Sequence, residues 1–88
     1  VPYNYPYDRG VSMIYGTKLL DTDSELFAAA LTKTPVFVWS LDQLGVYYQE
    51  TTGIIVKYTT DHVQVYNENN TTISTWYSRE TSEFSIAF

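Results

Sequence analysis

IIVKYTTDHVQVYNENNTTISTWYSRETSEFSIAF, residues 54–88, is a proline-free run in which β-branched and aromatic positions alternate with polar ones. Alternation with period two sends successive side chains to opposite faces of a pleated strand, so this run predicts antiparallel strands joined by hairpins. It divides into Ile54–Thr59, His62–Asn67, Thr71–Tyr77 and Phe84–Phe88, with Thr60-Asp61, Glu68-Asn69-Asn70 and the polar segment 78–83 as connections. Ile54, Val56 and Tyr58 share one predicted face, as do Val63 and Val65, and as do Phe84, Ile86 and Phe88. In the third strand Trp76 stands opposite Ile73 and Tyr77, so the sheet reads as apolar on both faces.

Upstream, Pro35–Leu41 (PVFVWSL) is nearly all apolar and β-branched or aromatic. That composition suits a central strand, Val36–Leu41, covered on both sides. Asp42-Gln43-Leu44-Gly45 makes the next turn and Val46–Gln49 a further strand, ending at the Thr51-Thr52-Gly53 break.

One helix is predicted. Thr22 and Glu25 have the spacing of a capping box, Asp21 and Asp23 complement the positive end of the helix dipole, and Thr34-Pro35 stops the helix. Leu26, Phe27, Ala30 and Leu31 form its expected apolar face. A calcium loop could also use Asp21, Asp23 and Glu25, but the chain enters an alanine-rich helix where such a loop needs glycine and further oxygen ligands. Val11–Tyr15 reads as a short strand ending at Gly16.

The fold class that follows is α+β: one short amphipathic helix on an antiparallel, largely meandering sheet of five to seven strands, with an all-β sandwich or small barrel as the alternative. Residues 11–88 read as a single domain, preceded by an aromatic arm over residues 1–10. The expected core is Ile14, Leu26, Phe27, Leu31, Val36, Val38, Trp39, Ile54, Val56, Val65, Ile73 and Ile86.

A length of 88 residues leaves little room for a deep internal site. A net charge of −5 opposes nucleic acid and anionic membrane as partners, and the absence of cysteine removes disulfides and thiol chemistry. No cofactor or metal is expected. A chain that starts at Val1 reads as a processed product or a fragment, a start consistent with a secreted or surface setting but equally with an excised piece.

His62 is the sole histidine, and Asp61 beside it in a turn is poorly placed to orient it. The four glycines are isolated, so no phosphate loop exists. Asn69-Asn70-Thr71 and Asn70-Thr71-Thr72 are overlapping glycosylation acceptors in a predicted hairpin tip, and Lys57 with Asn67 on adjacent strands raises an isopeptide pair.

What stands out is tyrosine, with nine residues. The expected function is non-enzymatic protein binding, as an inhibitor, surface or assembly component, through an exposed strand edge and Tyr3, Tyr5, Tyr7, Tyr47, Tyr48 and Tyr66. The partner is another protein or a second copy. One alternative is carbohydrate binding on a platform of Trp76, Tyr77 and Tyr58; another is a small hydrolase using His62.

Overall fold

The computed structural model describes residues 13–88, so the arm with Tyr3, Tyr5 and Tyr7 lies outside the described residues. Among the described residues seven strands and one helix follow in the order β1 (Met13–Ile14), β2 (Thr17–Leu19), α1 (Asp23–Leu31), β3 (Val36–Leu41), β4 (Tyr47–Tyr58), β5 (His62–Asn67), β6 (Ser74–Ser78) and β7 (Ser82–Ile86). All pairings are antiparallel, and the sheet runs β1-β2-β7-β3-β4-β5-β6. The α+β class therefore stands. Val36–Leu41 occupies the middle of the seven, as its continuous apolar run predicts.

The helix begins as its sequence dictates. The Thr22 hydroxyl accepts from Glu25 N–H at 3.2 Å, and the Glu25 carboxylate accepts in return from Thr22 N–H at 3.0 Å, closing the capping box. Asp21 N–H and the Lys18 ammonium also reach that carboxylate, at 2.8 and 3.1 Å. The buried stripe differs from the predicted one. Leu26 and Ala29 are buried and Ala30 packs on the core, whereas Phe27 and Leu31 are 53% and 69% exposed. Alanines on the inner face let the helix backbone lie close to β4, which turns the larger residues outward.

The predicted break at Thr51-Thr52-Gly53 is the second correction. Tyr47–Tyr58 is one continuous strand, whose first half pairs with β3 and whose second half pairs with β5. Gly53 is the hinge between them, opposite both Val36 and Asn67. A Cβ on Gly53 would lie 1.8 Å from the Tyr66 carbonyl oxygen and 2.6 Å from Val65 Cγ1. Only a residue without a side chain permits that approach.

Past Gly53, Ile55 faces the core, while a register shift between Ile55 and Lys57 makes Val56 an extra, exposed residue and returns Tyr58 inward. The expected core positions Ile54 and Val56 are thus displaced by Ile55. Ile73 is likewise exposed, because β6 starts one residue later and Ile73 closes the turn by donating its N–H to Asn70 O. Ile14 is only half-buried, on the two-residue turn to β2. The observed core is Leu20, Leu26, Ala29, Val36, Val38, Ile55, Val63, Val65 and Phe84, with Tyr58, Tyr77 and Ile86 packed against it.

The meander holds from β3 to β6 and then stops. Only Arg79, Glu80 and Thr81 join β6 at one edge to β7 beyond β3. Four flat inter-strand steps would cover about 19 Å, whereas the four residue steps from Ser78 to Ser82 reach at most about 14 Å. The sheet must therefore coil. The Tyr77 and Phe84 rings meet with centroids 6.5 Å apart across the concave side. Arg79 fastens this closure: its guanidinium donates to Thr59 O at 2.8 Å and to Asp23 Oδ1 at 2.7 Å, and its N–H donates to Asp61 O at 2.8 Å.

Gly53→Ala forces β4 and β5 apart where both flanking strands depend on them. It is expected to cost about 2–4 kcal/mol, read as a lower midpoint in urea unfolding. A variant within about 0.5 kcal/mol of wild type would show that the hinge is not as tight as drawn.

Candidate functional site

The convex face of the sheet carries two aromatic groups, separated by the Gly53 bend. The first is built on β3 and β7. Trp39 is buried there, although it belongs to the convex side and not to the main core. Tyr15 covers it, with ring centroids 5.2 Å apart, and Phe37 meets it edge-on at 6.5 Å. Tyr15 takes φ 46° and Gly16 φ 77°, the paired positive angles of a two-residue hairpin turn, which set the tyrosine over the tryptophan.

A buried polar chain runs beneath these rings. Trp39 Nε1 donates to Ser85 Oγ at 2.7 Å, Ser85 Oγ lies 2.7 Å from Thr17 Oγ1, and Thr17 donates to Ile14 O at 2.6 Å. Each hydroxyl has one proton, so Thr17 gives its own to Ile14 and receives that of Ser85. Every polar atom is satisfied and the group is structural.

Tyr47 and Glu83 lie beside it. Burial pushes the Glu83 carboxyl up, the Asp21 charge adds to that, and the hydrogen bond from the Tyr47 hydroxyl opposes it. Burial also raises the Tyr47 hydroxyl, with Glu83 contributing. The Tyr47 side chain is partly buried. Tyr48, next along the strand, leaves by the other face and is exposed, near the hairpin tip where Leu44 and Val46 donate their N–H groups to Asp42 Oδ1.

The second group sits on β5 and β6. Tyr66 and Trp76 are 42% and 44% exposed on the same convex face, where Tyr66 pairs with Ser74 and Gln64 with Trp76. Gln64 Nε2 donates to Ser74 Oγ at 2.9 Å, and His62 meets Trp76 edge-on at 6.5 Å. Thr59, His62 and Trp76 line an open apolar hollow. Trp76, which a count of tyrosines does not flag, shares this exposed face with Tyr66. Its position between Ser74 and Ser78 on an uncharged strand was the available signal.

β6 is also an edge. The hydrogen bonds Asn67 N–H to Ile73 O and Arg79 N–H to Asp61 O fix which residues face β5. Residues 73, 75, 77 and 79 bond inward, so Ser74, Trp76 and Ser78 turn their N–H and C=O groups outward, away from β5.

The structure does not gather the other predicted constellations. Trp76 is convex while Tyr77 and Tyr58 pack on the core, so the three form no common sugar platform. Asp61, His62, Ser78 and Arg79 line an open depression of about 680 Å³. Among the described residues no hydrogen bond joins His62 to Asp61 or to Ser78, leaving the imidazole without an orienting partner. Lys57 pairs with Gln64 and Asn67 with Gly53, so the isopeptide partners are not opposite each other. Asn69 and Asn70 are exposed in a turn whose N–H groups bond to Asn67 Oδ1 at 2.8 and 3.1 Å. Among the described residues no group of three or more acidic, histidine or cysteine side chains could hold a metal ion.

Comparison of the chain with protein-family models, with curated proteins and with solved structures gives no match. The reading of function rests on the geometry alone.

Because the folded Glu83 carboxyl holds its proton to higher pH than the unfolded one, the native state binds more protons across that window. Its contribution to stability is then lost as pH rises from the ordinary carboxylate range through the folded value. Glu83→Gln keeps an acceptor for Tyr47 without the charge, and is expected to melt above wild type at pH 7, with the difference shrinking towards pH 4. A constant or inverted difference would contradict the assignment.

Proposed function

We propose that this chain is a non-enzymatic protein-binding module, acting as an inhibitor, surface or assembly component, that receives an extended strand at the β6 edge. The observation that carries the reading is the conjunction on one strand of an open backbone edge and exposed aromatics. Ser74, Trp76 and Ser78 offer backbone donors and acceptors in a row, while Tyr66 and Trp76 flank that row on the convex face. Strand addition draws affinity from main-chain hydrogen bonds and specificity from side chains on alternate positions. Aromatic rings at such a seam supply large contact area at low entropy cost.

Within this reading the six tyrosines differ in role. Tyr66 is a contact residue. Tyr48 is available at the far end of β4 as a second point of contact, while Tyr47 is partly buried beside Glu83 and is the less accessible of the two. Tyr3, Tyr5 and Tyr7 stay in the proposal as aromatic contacts from the arm.

A photo-crosslinker at Ser78, used in an extract of the source cells, is expected to join the domain to a protein, with a crosslinker at Lys33 beyond the helix as control. The double variant Tyr66→Ala, Trp76→Ala is expected to weaken capture by roughly tenfold or more with little change in melting temperature. Undiminished capture by that variant, or equal capture from Lys33, would contradict the proposal.

A further inference from the structure

We infer that the strand received at the β6 edge is β6 of a second copy of this chain, docked antiparallel about a two-fold axis through Trp76. This inference rests on the binding reading above and names its partner.

Self-complementarity is the first argument. β6 reads Ser74-Thr75-Trp76-Tyr77-Ser78, close to a palindrome about its tryptophan. In the antiparallel register centred on Trp76, each Trp76 exchanges two backbone hydrogen bonds with the Trp76 of the second copy. Ser74 exchanges two with the opposing Ser78, and Ser78 two with the opposing Ser74. Every outward N–H and C=O of β6 is then matched, whereas a slip to the next permitted register leaves a serine at one end without its opposing β6 serine. A C2 contact requires this property, the same patch meeting itself.

Charge is the second argument. A chain of net charge −5 meets its own copy most easily through an uncharged seam. From Ile73 to Ser78 there is no charged residue, while the ends place Arg79 opposite Ile73 and Glu80 opposite Thr72, with no like charges facing. Edge strands that must stay alone usually carry lysine, proline or a bulge. β6 has none of these, and its pairing with β5 shows no register shift.

The convex face supplies the third. Lys57, Gln64 and Trp76 form one cross-strand row, so the joined sheet would run this row into its symmetry mate with the two tryptophans at its centre. Tyr66 and Ser74 would align with Ser78 and His62 of the second copy, making one aromatic stripe of Tyr66, Trp76 and His62 from both chains.

The register supplies its own test. Two double variants are made, Ser74→Lys with Ser78→Lys, and Ser74→Glu with Ser78→Glu; each sets like charges opposite one another twice in its own dimer. Sedimentation equilibrium from about 10 μM to about 1 mM is expected to show a wild-type dimer, a dissociation constant raised roughly tenfold or more in either variant alone, and recovery in their equal mixture as a heterodimer. A wild-type monomer throughout that range overturns the inference, as does a dimer that both variants retain. If the wild type is monomeric but the Ser78 crosslinker still captures a different protein in an edge-dependent way, the inference falls and the binding reading survives. If neither occurs, both fall.

Discussion

The architecture depends on how closely two strands can cross at Gly53. With a Cβ position only 1.8 Å from the Tyr66 carbonyl oxygen, that residue alone lets β4 serve β3 with one half and β5 with the other. The bend turns β5 and β6 over the concave side, so Val63, Val65 and Tyr77 join Val36, Val38 and Phe84 in one core. It also lets three residues close the gap from β6 to β7, with Arg79 tying the closure to the β4–β5 turn and to the start of the helix. Among the described residues, coiling stops short of a closed barrel and leaves β6 as an edge.

That incompleteness links the fold to the proposed function. The concave side is filled by α1 and the core, and the near half of the convex side is settled by the Tyr15–Trp39–Ser85 arrangement, in which each polar atom has a partner. Among the described residues, the outward amides and carbonyls of β6 lie at the far end, beside the exposed rings of Tyr66 and Trp76. Exposed apolar residues elsewhere are more dispersed, such as Phe27 and Leu31 on the helix and Leu44 on a hairpin tip. Phe27 and Leu31 are not backed by a backbone edge, whereas Leu44, Val46 and Tyr48 adjoin the outer side of β4 before Gly53, and Met13 and Tyr15 adjoin β1 at the other end of the sheet.

Much of this is legible in the sequence. The capping box at Thr22 and Glu25, the stop at Pro35 and the apolar run of β3 are local signals, and local signals survive folding. The errors share one cause. Gly53 read as a strand break because sequence cannot distinguish a glycine that ends a strand from one that lets another backbone approach. Once that hinge was missed, the alternation beyond it was assigned to the wrong positions, and Ile54 and Val56 were expected where Ile55 lies. The bulge at Val56 and the alanine contact of the helix are likewise decided by partners distant in sequence. Of the candidate site, the sequence marks Tyr66 and Trp76 only as aromatic types, and their shared exposed face and the edge beside them depend on strand order, because β7 leaves the meander.

The most direct measurement is residue-by-residue amide hydrogen exchange in β6, followed by NMR on a dilute sample and again on a concentrated one. The account predicts slow exchange at Thr75 and Tyr77, which bond to β5, and fast exchange at Ser74, Trp76 and Ser78 when dilute, with those three becoming protected on concentration. Uniform protection of all five in the dilute sample, or no gain at Trp76 in the concentrated one, would contradict it.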